Sequence, residues 1–463
     1  MNKPRIRKRH LLKSSAFGEY FMDQFFFKIY TNKVKRGKVA DQDIRKLQTD
    51  NIVSIVHEYM HYLHEVSTYV GTLGLGYSVL LRAILSKYVS KDLTNSDIDL
   101  ALSLEDANFM AGIDDTIDCL IGDMYPDSLV KSINNYTLQW VTIKVPHDSQ
   151  LVDQQIEIPE LEVINGCSKQ YLKFNKFYLY EGLAYELERV FSYKVMLAHE
   201  DEEDGTEYTI LRYLSRHIVP SISIRTMLIL ASCSLAYVNC GAIYISMLER
   251  LEIELKTGKI ETQVIDMIRG NVATVYADRH NLLGAALYAI AQSYSNRSSL
   301  IIAFTELIKH YLTSGFQRTK NPAFEVDMIF DKPLEDLLNL VPPCDFTYVF
   351  NNKNTFMRDF YGTTKFKQIG GIELAAHHNI FIAHTHYASV VFYTLKEQID
   401  FFEAGEDEVC CPFFTSCDLK MRKENSSICN KTPWKTYDLS YNSDKMYCWY
   451  GKGVSLLKGI DIP

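Results

Sequence analysis

Residues 54–65 read SIVHEYMHYLHE and place His57, Glu58 and His61 in the pattern H-E-x-x-H. The run is rich in uncharged residues with helical spacing, so the sequence predicts a helix buried in a domain. Positions four residues apart lie one turn apart on the same helix face, so both histidines can bind one metal ion from one side. Glu58 then lies beside that ion, where its carboxylate can take a proton from bound water. The alternative is a buried helix with two ordinary core histidines.

A later run, residues 178–190 (YLYEGLAYELERV), predicts a second buried helix that can complete this metal site. A hydrolytic zinc ion usually has three protein ligands and one open position. Glu181 lies near the helix start and is followed by Gly182 and Ala184, whose small side chains let a helix pack closely against another backbone. Glu181 is therefore the candidate third ligand. The alternative is a solvated glutamate that the helix dipole favours at this end.

Taken together, the H-E-x-x-H run and the E-G-x-A run at 181–184 resemble the gluzincin group of zinc metallopeptidases. The resemblance covers residues from about 50 to 195 and rests on these two short motifs. It implies a zincin-like core and a zinc-dependent hydrolase that cleaves peptide bonds with a metal-activated water. In that scheme His57, His61 and Glu181 hold Zn²⁺, and Glu58 is the general base.

The chain departs from this family at Tyr185 and in the long separation of Glu181 from His61 along the sequence. Many gluzincins have an aspartate four residues after the glutamate ligand, where it braces a ligand histidine, but this chain has Tyr185 there. The resemblance therefore leaves the bracing role open among three other carboxylates, Glu65, Glu186 and Glu188.

Composition is that of an ordinary globular chain of 463 residues, with 47% hydrophobic and 23% charged residues. The net charge of −8 argues against a nucleic-acid binder. The resemblance implies a protein or peptide substrate, and a protein regulator is a further expected partner. The most apolar long segment, Ile222–Ile245, is interrupted by Arg225, and no membrane span is predicted. The basic residues 1–13 are not followed by the apolar core of a signal peptide, so a cytoplasmic protein is expected.

Hydrophobic periodicity predicts a mainly α protein with a small β element (α+β). Alternating apolar and polar residues predict strands at 137–145 and 155–164, one of which is either an edge for an extended substrate or part of a peripheral hairpin. Changes in composition predict three domains: a zincin-like catalytic domain at 1–200, a helical domain at 201–344 and a Cys/His-rich C-terminal domain at 345–463.

The C-terminal region carries half of the ten cysteines of the chain. Four of them, Cys411, Cys417, Cys429 and Cys448, supply enough thiolates for a structural zinc ion or an iron–sulfur cluster. No C-x-x-C pair is present, and the alternative is a set of ordinary thiols without a metal.

Further histidines lie near and far from the first motif. His64 lies seven residues after His57 and shares its helix face, where it can line the site, although a partly buried histidine bonded to backbone is the favoured interpretation. In the run 377–386 (HHNIFIAHTH), His384 and His386 would share one face of a strand and can bind a metal or donate to a transition state. The favoured interpretation there is a strand whose histidines bond their neighbours.

Two functions of other classes compete with the peptidase. Glu58-x-x-His61 also fits a di-iron carboxylate protein, but such proteins need a second Glu-x-x-His, which this sequence lacks. A non-catalytic regulatory or binding protein that keeps the zincin metal site is the other alternative, since it can retain the same residues.

Overall fold

Helices account for most of the described chain, which confirms the predicted mainly α fold with a small β element. The computed structural model describes residues 12–13, 18–21, 26–31, 49–89, 103–123, 132–147, 150–165, 168–194, 206–292, 311–332, 345–350, 354–358, 383–384, 386–388, 390–391, 410–414, 417, 419–441 and 448–459.

The described helices fall into three consecutive groups. The first group is α1 (Thr49–Ser67), α2 (Tyr69–Leu85), α3 (Leu104–Ile121) and α4 (Lys176–Lys194). The second group is α5 (Thr206–Ile218), α6 (Ile224–Ser234), α7 (Cys240–Lys256), α8 (Glu261–Gln292), α9 (311–320) and α10 (Phe324–Asp331). The last group is α11 (Lys420–Glu424), α12 (Ser426–Lys431), α13 (Thr436–Tyr441) and α14 (Trp449–Lys458). None of the helices described has the length and apolar character needed to cross a bilayer.

The described strands form two separate sheets. In chain order they are β1 (Leu12–Lys13), β2 (Gly18–Phe21), β3 (Phe26–Thr31), β4 (Ser132–His147), β5 (Gln150–Asn165), β6 (Ser168–Lys173), β7 (Asp345–Phe350) and β8 (Asn354–Arg358). One sheet has the order β1-β2-β3-β7-β8, with β3 and β7 parallel and the other pairs antiparallel. The other is the antiparallel sheet β4-β5-β6. The predicted strands at 137–145 and 155–164 lie within β4 and β5, and β4 is an edge strand of its sheet.

Helices α1 and α4 pack against each other at the centre of the molecule. Helix α1 buries Val56, Met60 and Leu63, which the helical repeat places on one side. In α4 nearly every residue from Lys176 to Leu187 is buried. Gly182 is required where α4 meets α5, because a Cβ atom there would lie 2.7 Å from Cβ of Leu211. The small residue after Glu181 therefore permits the close helix packing that the sequence predicts.

Three apolar clusters hold the described helices together. The largest joins α1 and α4 to α5–α8, α10 and strands β5 and β6. A second joins the ends of α2 and α3 to the described residues of the C-terminal region. A third joins α2 and α3 to strands β4 and β5. The boundaries at 200 and 344 stay predictions, and side chains from both sides of residue 200 share the largest cluster.

Candidate metal centre

Three buried side chains from α1 and α4 converge on one point. They belong to His57, His61 and Glu181 and are called the ligand group below. Nε2 of His57 lies 3.0 Å from Nε2 of His61, and Oε2 of Glu181 lies 3.6 Å from the first and 3.5 Å from the second. His61 and Glu181 are fully buried, and His57 is 4% exposed. Among the residues described, this is the one group of three or more whose ligand atoms lie close enough together to hold a metal ion.

The spacing of these atoms fits a tetrahedral zinc ion. Zinc–nitrogen and zinc–oxygen bonds of about 2.0–2.1 Å at tetrahedral angles place ligand atoms roughly 3.3–3.4 Å apart. The observed separations fall on either side of that value. In the described part of the chain neither carboxylate oxygen of Glu181 accepts a hydrogen bond. A buried carboxylate in that state is costly unless a cation compensates it, so the residues present fit a metal.

Glu188 bonds the first of these histidines from two turns further along α4. Nδ1 of His57 lies 2.8 Å from Oε2 of Glu188, so its N–H donates to that carboxylate. In a neutral ring this bond would leave the Nε2 lone pair of His57 facing His61 and Glu181, which is the orientation a metal ligand needs. Of the three carboxylates that the sequence leaves open for a bracing role, Glu188 is therefore the candidate with a hydrogen bond to His57. Glu186 instead accepts hydrogen bonds from Arg212 on α5.

The charges of the group favour an ionised carboxylate. Burial opposes ionisation of Glu181, but the neighbouring imidazoles of His61 and His57 lower its pKa to about 2. Burial disfavours charge on His57, yet the carboxylates of Glu181 and Glu188 hold its pKa well above the ordinary value. For His61 burial prevails and lowers the pKa.

Glu58 and an aromatic pair surround the group. Glu58 is 1% exposed, and its charge helps to raise the pKa of the adjacent His57. The ring of Tyr208 meets the His57 ring edge-on at 6.0 Å between centroids and stacks on Tyr185 at 5.0 Å. Tyr208 lies on a third helix, α5, and no sequence motif marks it as a neighbour of His57.

His64 lies outside the ligand group and belongs to a buried polar network. Its Nε2 lies 3.3 Å from Oε1 of Glu325, so the expected bond to backbone is wrong. Glu325 also accepts from Nη1 of Arg318, with 3.2 Å to each carboxylate oxygen, and from the Ser232 hydroxyl at 2.5 Å. Nε of Arg318 donates to the hydroxyl of Ser67 on α1 at 2.9 Å. The network therefore ties α1 to α6, α9 and α10.

The C-terminal histidines differ from the sequence prediction. His384 and His386 lie in helical backbone, so the predicted strand is wrong, and neither belongs to the ligand group. Both are buried, and Nδ1 of His386 lies 2.7 Å from the hydroxyl of Tyr450. His377 and His378 lie outside the described residues.

Four described cysteines of the C-terminal region lie near one another. Cys411, Cys417, Cys429 and Cys448 all line one cavity. No three of the cysteine sulfurs described meet the mutual distance that a metal ligand set requires. The predicted second metal at these residues, zinc or iron–sulfur, stays a prediction at this point.

Comparison with known proteins finds no family model, no curated protein and no solved structure that matches this chain. The residue types at the candidate metal centre and their geometry are therefore what indicates a function.

Glu188→Gln is expected to weaken zinc binding by about 10- to 100-fold, because outer carboxylates orient ligand histidines and raise their basicity. The measurement is a zinc dissociation constant from competition with a chelating dye. Glu186→Gln is the matched control, since it removes a carboxylate from the same helix that pairs with Arg212. Equal zinc affinity in Glu188→Gln and the unmodified protein would show that Glu188 does not brace the ligand.

Proposed function

We propose that this protein is a zinc-dependent metallopeptidase with a gluzincin-like site. One observation carries the proposal: His57, His61 and Glu181 form a buried group with the ligand spacing of a tetrahedral ion, and the buried Glu58 follows His57 on α1 close enough for its charge to raise the pKa of that histidine. Two imidazoles and one carboxylate are the protein ligands of a hydrolytic zinc, which keeps its fourth position for water or substrate. The group has one carboxylate, whereas di-iron centres use several.

The chemistry divides between the ion and the chain. Zn²⁺, when bound, lowers the pKa of a coordinated water to about 7 and polarises a substrate carbonyl. His57, His61 and Glu181 would hold the ion, and Glu188 would keep His57 in the correct tautomer. Glu58 would take the proton of the attacking water and then pass it to the leaving amine. The buried surroundings of these groups strengthen each of their electrostatic interactions.

The experiment is peptide hydrolysis by the purified full-length chain. We expect the zinc-loaded protein to cleave members of a peptide mixture followed by mass spectrometry, with cleavage lost on chelation and restored by added zinc. A protein that binds zinc at His57, His61 and Glu181 but cleaves no peptide would instead be a non-catalytic binding protein with a zincin-like site.

A further inference from the structure

Four cysteines that are far apart in sequence converge in the C-terminal region. Cys411, Cys417, Cys429 and Cys448 span the last part of the chain and line the same cavity. Cys410, the fifth cysteine of this region, does not line it. Four of the five thiols therefore share one cavity, whereas Cys410, the sequence neighbour of Cys411, is not among its lining residues.

Backbone hydrogen bonds fix the segments that carry these thiols. The N–H of Cys411 donates to the carbonyl of Cys429 at 3.0 Å, which joins two segments across α11. The N–H of Cys417 donates to the carbonyl of Phe413 at 2.8 Å, which closes a turn between the first two cysteines. Cys448 precedes the first residue of α14. The convergence thus depends on three chain segments held in place.

The lining of the cavity suits a thiolate-bound metal. Apart from the cysteines, the described residues that line it have apolar or aromatic side chains or are Arg422, and none of these described residues carries a carboxylate or an imidazole. Nη1 of Arg422 donates to the carbonyl of Cys417 at 3.0 Å, while its buried Nε has no acceptor in the described part of the chain. An all-sulfur ligand set selects zinc over hard cations. Four thiolates around Zn²⁺ leave a net negative charge, which the Arg422 guanidinium would partly offset.

We propose that Cys411, Cys417, Cys429 and Cys448 form a structural zinc site, separate from the metal centre on α1 and α4. The sulfurs are not yet within ligand distance of one another as a set, so binding requires side-chain rotation within the cavity. Each thiol releases its proton to solvent when it binds. Helices α11, α12 and α13 have only five or six residues each, too few to be stable alone. Zinc bound by the four cysteines would stabilise the folded state of this region.

The test is the metal content of the full-length chain and of three variants. We expect about two zinc ions per chain in the unmodified protein and in Cys410→Ser. Cys429→Ser should lose about one ion and keep the other, and Glu181→Ala should lose the other instead. Loss in Glu181→Ala but not in Cys429→Ser would overturn the cysteine site and leave the peptidase proposal standing. Loss only in Cys429→Ser would support the cysteine site and count against the proposed peptidase centre.

Cobalt substitution tests the same site without relying on a destabilised variant. Protein loaded with Co²⁺ should show intense thiolate-to-cobalt charge-transfer absorption, because four sulfurs bind the ion. The absorption should persist in Cys410→Ser and in Glu181→Ala. Absence of this absorption in the unmodified protein, or a brown iron–sulfur spectrum after anaerobic purification, would overturn the zinc proposal.

Discussion

Glu58→Gln is expected to lower peptide hydrolysis by a factor on the order of 10² or more while zinc stays bound. The proposed role of Glu58 is proton transfer, and a neutral amide of the same shape cannot accept the proton. Because Gln has the same shape as Glu and Glu58 is not one of the three candidate ligand residues, the substitution should alter neither the ligand set nor the packing around this buried side chain. The measurements are kcat/KM on a cleaved peptide and zinc content on the same preparation.

Glu65→Gln is the matched control for this experiment. Glu65 is also a buried carboxylate on α1, seven residues further along the same face. We expect it to keep hydrolysis near the unmodified level, although its stability can change. Full activity in Glu58→Gln would show that Glu58 has no part in the mechanism. Equal losses of hydrolysis in both variants would show that removing any buried carboxylate from α1 lowers the activity.

Arg318→Met is expected to destabilise the fold by about 3–5 kcal/mol, because removing one partner of a buried ion pair leaves the other charge uncompensated. Arg318 and Glu325 are both fully buried. Burial alone would raise the pKa of Glu325, but the positive charge of Arg318 outweighs that effect and the pKa is lowered to about 2. Methionine fills part of the space but cannot donate to Glu325, Ser67 or Ser232. The measurement is the free energy of unfolding from urea denaturation.

A surface arginine gives the comparison for this prediction. Arg225 is 40% exposed and pairs with Asp331, so Arg225→Met should cost no more than about 1 kcal/mol. The double variant Arg318→Met with Glu325→Leu should recover part of the loss, since no charge is then left unpaired. Equal destabilisation by Arg318→Met and Arg225→Met would mean that the buried network contributes little to stability.

The local part of the metal site follows from sequence alone. His57 and His61 lie four residues apart, and the helical repeat alone brings them to one face. Glu181 was a candidate because Gly182 signalled close helix packing, but its meeting with α1 depends on the whole core. Glu188 could not be chosen in advance from its rivals, because the rotation of α4 relative to α1 decides which carboxylate faces His57.

Long-range polar contacts lay beyond sequence reasoning. Arg318 and Glu325 match no motif, and His64, which bonds Glu325, lies 261 residues away from it along the chain. The run containing His384 and His386 alternates like a strand, yet both residues have helical backbone and both are buried. Short apolar runs of this kind suit either structure, and tertiary packing decides between them.

The two halves of the metal centre are separated along the chain by the whole β4-β5-β6 sheet. A metal ion bound between α1 and α4 would therefore link two segments that lie far apart in the unfolded chain. Because the ligands converge only in the native fold, mass action adds about 4 kcal/mol of stability when free metal is about 1,000 times the dissociation constant. Zinc supply would then affect how long the folded chain survives proteolysis in the cell, separately from the proposed hydrolysis.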